Sequence, residues 1–87
     1  MRNIGFSQKA FKDLHAWAIR DKKTFDRIHD LILESARDPF KGKGKPEPLK
    51  HQFKGFWSWR ISDEHRLVYA IDDHQILIIS CEGHYTV

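Results

Sequence analysis

The sequence predicts an α+β domain in which two helices are followed by an antiparallel sheet. Three observations lead there. Two runs with apolar residues at helical spacing fill the first half, and three strand-like runs joined by short polar turns fill the second. A stretch rich in Gly and Pro, residues 42–51, separates the halves and is read as a loop. With 87 residues and one cysteine, Cys81, the chain has room for a single domain over 1–87 and no disulfide to support it.

Taken in order, residues 1–6 are short and apolar enough for a first strand, and Ser7 is a good helix N-cap. From Gln8 to about Arg20, Ala10, Phe11, Leu14, Trp17 and Ala18 fall on one side of a helix. Asp21 reads as the cap of a second helix, because Phe25, Ile28, Leu31, Ile32 and Ala36 resume the same spacing. So short a break predicts an antiparallel helix hairpin. Pro39 ends the second helix at Asp38. Residues 56–62 alternate like a strand with one buried face, 67–71 make a third strand and 76–81 a fourth. The turns between these three force antiparallel pairing, giving the order β-α-α-β-β-β. The helix pair is expected to cover one face of the sheet and leave the other open.

The net charge of +3 is unevenly spread. Residues 37–60 carry seven Lys/Arg against Asp38 and Glu47, an excess of five positive charges, whereas the rest of the chain is slightly acidic. Such focusing favours a polyanionic partner, nucleic acid first among them. The first residues lack the apolar core of a signal peptide and no run reaches membrane-spanning length, so the expectation is a cytoplasmic protein with no membrane partner. Cys81 closes an apolar run and reads as a small buried hydrophobe. None of the six histidines stands at metal-ligand spacing from another His or from Cys81, so neither a metal nor another cofactor is expected.

Metal-free cleavage of RNA requires a base for the 2′-OH proton, a cation for the charge growing on the phosphate, and an acid for the departing 5′ oxygen. Glu47, held between Pro46 and Pro48 in a lysine-rich stretch, suits the first role. Arginine binds two phosphate oxygens at once, and histidine titrates near neutrality. The chain offers Lys50, Arg66, His84 and Tyr85 for the remaining tasks, but spacing alone does not make them converge. Arg66 also has Asp63 and Glu64 nearby as structural partners.

The segments Pro39 to His51, Gly55-Phe56-Trp57-Ser58, Arg60-Ile61, Glu64 to Ala70 and His84-Tyr85 together resemble the YoeB (Txe/YoeB) branch of the RelE-type bacterial toxins, in order and in spacing. The resemblance implies a RelE-like fold and the toxin of a type II toxin–antitoxin pair. It further implies a ribosome-dependent endonuclease that cuts mRNA in the ribosomal A site, leaving a 2′,3′-cyclic phosphate and a 5′-OH. A YefM-like antitoxin and a homodimer are implied as partners beside the ribosome and mRNA. Glu47 matches the general base, His84 the general acid, and Arg66 the arginine on the scissile phosphate. Tyr85 and Lys50 match residues that position or polarise the RNA. Lys43, Lys45, His51 and Arg60 complete the expected substrate-binding set. The alternative on the same fold is a toxin that works by binding alone, as in ParE-like relatives, or one that has lost catalysis. The chain departs from the family pattern in three ways. Trp59 stands where relatives commonly carry a second arginine and is expected to take one cation from the RNA face. Glu82 is expected to favour the imidazolium of His84. Thr86 and Val87 extend beyond the His-Tyr pair.

Overall fold

The structure is a computed structural model and describes residues 1–40 and 46–83. Its elements are β1 (Asn3–Phe6), α1 (Gln8–Arg20), α2 (Lys22–Arg37), β2 (Glu47–Pro48), a 3-10 turn (His51–Phe53), β3 (Phe56–Arg60), β4 (Arg66–Ile71) and β5 (Gln75–Ser80). The five strands form one sheet in the order β1-β5-β4-β3-β2. The expected α+β class and strand–helix–helix–sheet order hold. The sheet is mixed, however, because β1 runs parallel to β5 while the other neighbours are antiparallel.

Ser7 joins two of these elements through one hydroxyl. Its Oγ accepts from Ala10 N (3.0 Å), capping α1, and donates to Ile79 O (2.7 Å). Ile79 is the extra residue of a bulge, since Val68 faces Ser80 and Tyr69 faces Ile78. Asp21 likewise serves both helices: its N–H returns to Trp17 O (2.9 Å), and its carboxylate accepts from Thr24 N and Thr24 Oγ1. These bonds hold its carboxyl below the ordinary aspartate range, the Thr24 hydroxyl contributing most. One residue therefore makes the hairpin.

The helices bury Ala10, Trp17, Ile28, Leu31, Ile32 and Ala36 against Trp59, Ile61, Leu67, Tyr69, Ile76 and Ile78 of the sheet. Those strand residues alternate along their strands, so they share one face. Residues 58, 60, 66 and 68 take the opposite face. The core includes Cys81, which is fully buried as expected. Among the described residues, no helix is long and apolar enough to cross a membrane.

Two local expectations are corrected. The stretch 42–51 is not loop throughout, for Glu47 and Pro48 form β2 at the sheet edge. Proline supplies the reason: it biases the residue before it to extended backbone, and its missing N–H is harmless on an edge strand. Trp59, in turn, is wholly buried beneath the helices, on the face opposite Arg60. Its ring occupies core volume and takes no position from the open face.

Candidate active site

Glu47 is placed by the segment on each side of it. Opposite β2, Ser58 pairs with Glu47 and Trp57 with Pro48, and Leu49 N donates to Phe56 O (2.9 Å), prolonging the ladder. Leu49 is buried, which pins the strand while the Glu47 side chain stays exposed. Phe53 N then returns to Lys50 O (3.1 Å), and Gly55, at φ +99°, turns the chain into β3. That backbone conformation favours glycine.

Upstream, the cationic stretch leaves α2 through an equally fixed point. Tyr69 Oη donates to Pro39 O (2.8 Å), and both residues are buried. Burial, with Asp38 adding its negative charge, pushes the Tyr69 phenol well above its ordinary range, so it remains a donor. Phe40 N donates to Asp38 Oδ1 (3.3 Å), and the Phe40 ring meets Trp57 edge-on at 5.1 Å between centroids. Trp57 thus contacts Phe40 before the stretch and faces Pro48 after it. The lysines between, Lys43 and Lys45, lie outside the described residues.

The two arginines come from neighbouring strands. Arg60 ends β3, Arg66 begins β4, and their Cα positions are directly paired. Ser58 lies on the same face as Arg60 and opposite Glu47, so Glu47, Arg60 and Arg66 share the face turned away from the helices, on which Ser58 and Val68 are themselves buried. Glu47 and Arg66 are two strand spacings and two residues apart, roughly 12 Å between Cα positions, a gap that two long side chains reach across. Arg60 pairs with Asp63 across the turn, and Arg66 Nη1 donates to Ser62 O (3.3 Å). Asp63 therefore serves Arg60. Like charges set directly opposite in a sheet repel, and an anion lying over the pair relieves that repulsion.

Lys50 is exposed just beyond β2, and His51 opens the 3-10 turn. His84 and Tyr85 lie outside the described residues, but the chain leading to them is fixed. Arg66 N donates to Gly83 O (2.9 Å), so the residue before His84 is bonded to the backbone of the expected phosphate-binding arginine. The structure brings Glu47, Arg60 and Arg66 to one face and ends beside Arg66. Sequence pattern did not reveal the Tyr69–Pro39 bond. Tyr69 reads as core, and nothing local marks Pro39 O as the acceptor.

The fold is that of small bacterial toxins that occur with antitoxins. A YoeB dimer from Staphylococcus aureus is 45% identical and superposes with a TM-score of 0.88, covering 97% of this chain and 98% of that one. A YoeB/ParE toxin from Agrobacterium tumefaciens is 38% identical with a TM-score of 0.91, covering 95% and 99%. Among characterised relatives, Toxin YoeB of Escherichia coli K12 is 50% identical over 80 residues, spanning 92% of this chain and 95% of its own. The sequence model of the YoeB-like toxins of bacterial type II toxin–antitoxin systems matches residues 6–85, and the chain belongs to that family.

Proposed function

We propose that this toxin is a metal-independent, ribosome-dependent mRNA endonuclease of the bacterial cytoplasm, restrained by a YefM-like antitoxin and able to form a homodimer. The observation that carries the reading is the directly opposed pair Arg60 and Arg66, on the same sheet face as the exposed carboxylate of Glu47. Two cations set to take a phosphate, with a base within reach, suit cleavage by the neighbouring 2′-OH. A toxin that acts by binding alone has no use for that base.

In the proposed reaction the Glu47 carboxylate takes the 2′-OH proton, and the 2′ oxygen attacks phosphorus. Arg66 stabilises the charge gathering on the non-bridging oxygens. The bond from phosphorus to the 5′ oxygen breaks, and His84 gives that oxygen a proton, leaving a 2′,3′-cyclic phosphate and a 5′-OH. Tyr85 contacts the reacting group, while Lys43, Lys45, Lys50, His51 and Arg60 hold the RNA backbone. The partners are supported by the S. aureus relatives, one a YoeB dimer and another a YoeB–YefM complex at 43% identity.

The test is primer extension on mRNA, with and without programmed ribosomes, using wild type and His84→Ala. Cuts that require ribosomes and vanish in the variant support the reading. Wild type that binds ribosomes and leaves the mRNA whole overturns it.

A further inference from the structure

Gly83 is held through both of its backbone groups. Its N–H donates to Nδ1 of His65 (3.0 Å), and its carbonyl accepts from Arg66 N (2.9 Å). At φ +95° it adopts a conformation that favours glycine, yet a Cβ there would meet nothing within 4 Å. The glycine therefore serves the direction of the chain and not a lack of room.

His65 is itself fixed. Its ring stands edge-on to buried Trp17, with centroids 4.9 Å apart and planes at 84°. The Trp17 indole N–H donates to Cys81 O (2.9 Å), and Cys81 N donates to Asp13 Oδ2 (3.2 Å). Two side chains of α1 and one from the residue before β4 thus grip residues 81–83. A backbone N–H can only donate, so Nδ1 must accept, and the neutral ring carries its proton on Nε2. The other tautomer has no acceptor to offer Gly83.

We propose that His65 is a positioning residue: as the Nε2–H tautomer it locks Gly83 beside Arg66 and so sets where His84 enters the site. The catalytic half of this rests on the function proposed above; the clamp itself rests on Gly83, His65 and Trp17. His65 acts through the backbone of its neighbour across the strand end.

The full chain tests this with two variants. His65→Asn keeps an acceptor at the position of Nδ1, and His65→Leu keeps an apolar side chain against Trp17 without one. Nitrogen NMR of wild type is expected to show Nδ1 unprotonated and Nε2 protonated, with a Gly83 amide that exchanges slowly. That protection is expected to persist in the Asn variant and to be lost in the Leu variant. In single-turnover cleavage on saturating programmed ribosomes, His65→Leu is expected to lose on the order of 10²-fold in rate at unchanged ribosome affinity, the scale of a misplaced catalytic group. His65→Asn recovers most of it. An Nδ1–H tautomer or a freely exchanging Gly83 amide in wild type overturns the clamp whatever the cleavage result. A protected Gly83 with wild-type rates in His65→Leu, or an Asn variant as slow as Leu, overturns the positioning role. Absence of cleavage by wild type overturns the function and the catalytic half with it, while tautomer and exchange still decide the clamp.

Discussion

Deleting one oxygen, in Tyr69→Phe, isolates the bond that ties β4 to the start of the cationic stretch. The hydroxyl donates to Pro39 O at 2.8 Å, and both residues are fully buried. The phenyl ring that remains keeps its place beside Trp59, whose centroid is 6.5 Å away, so the change is confined to the lost donor. A buried carbonyl deprived of its partner costs about 1–3 kcal/mol, and relief from burying the hydroxyl offsets part of this. A net loss of about 1–2 kcal/mol is expected, and each kcal/mol lowers Tm by about 4–8 °C in a domain of this size. Urea unfolding at neutral pH, followed by tryptophan fluorescence, measures it as a lower midpoint at unchanged slope. The loss has a pH signature. The Tyr69 phenol is raised in the folded state, so the stability it contributes is complete below the ordinary tyrosine value near 10 and declines as pH rises toward the folded value. The gap between wild type and Tyr69→Phe should therefore shrink above about pH 10. Equal midpoints at neutral pH would refute the claim that this bond anchors the stretch leading to Glu47.

Other changes probe the remaining fixed points. Gly55→Ala places a side chain at φ +99° with no atom within 4 Å, so its cost is backbone strain alone, about 1–2 kcal/mol in a thermal melt. Ser7→Ala loses the α1 cap and the bond to the Ile79 bulge together, and about 1–2 kcal/mol is expected by urea unfolding. Burial, with Asp13 nearby, pushes the Cys81 thiol up to about 12, so thiol reagents at pH 8 should label it only as fast as the protein opens. Stability linked to this thiol is whole below the ordinary cysteine value near 8.5 and lost as pH climbs toward the folded value. Rapid labelling of the folded protein at pH 8 would contradict that burial.

Much of this architecture was legible because local signals and tertiary contacts agree. Ser7 and Asp21 read as caps and are caps, and the apolar spacing through Ile28, Leu31 and Ile32 marks the buried side of α2. The misreadings occur where the partner is distant in sequence. Nothing near Ile4 announces a parallel pairing with Ile76, and nothing in Glu47-Pro48 announces Ser58 and Trp57 across the sheet. Proline at those positions argued for loop, yet its extended backbone suits an edge strand. The expected effect of Trp59 on the RNA face fails for a related reason: alternation gives two faces, and only the packing of the helices tells which is covered. For the site, residue types suggested Glu47 and Arg66 as base and phosphate ligand, while their common face follows from register that sequence does not carry. The hydrogen bonds of Gly83 to His65 and Arg66 join positions far apart in the chain and leave no local trace.

The central claim, that the open face carrying Glu47 and Arg66 performs the cleavage, is tested most directly by the single-turnover rate on programmed ribosomes of Glu47→Gln against wild type. The substitution keeps the size of an exposed side chain and removes only its capacity as a base. The account predicts a rate lower by about 10²–10⁴-fold, the usual contribution of a general base, with ribosome binding unchanged. A Gln variant that cuts mRNA at the wild-type rate would contradict it.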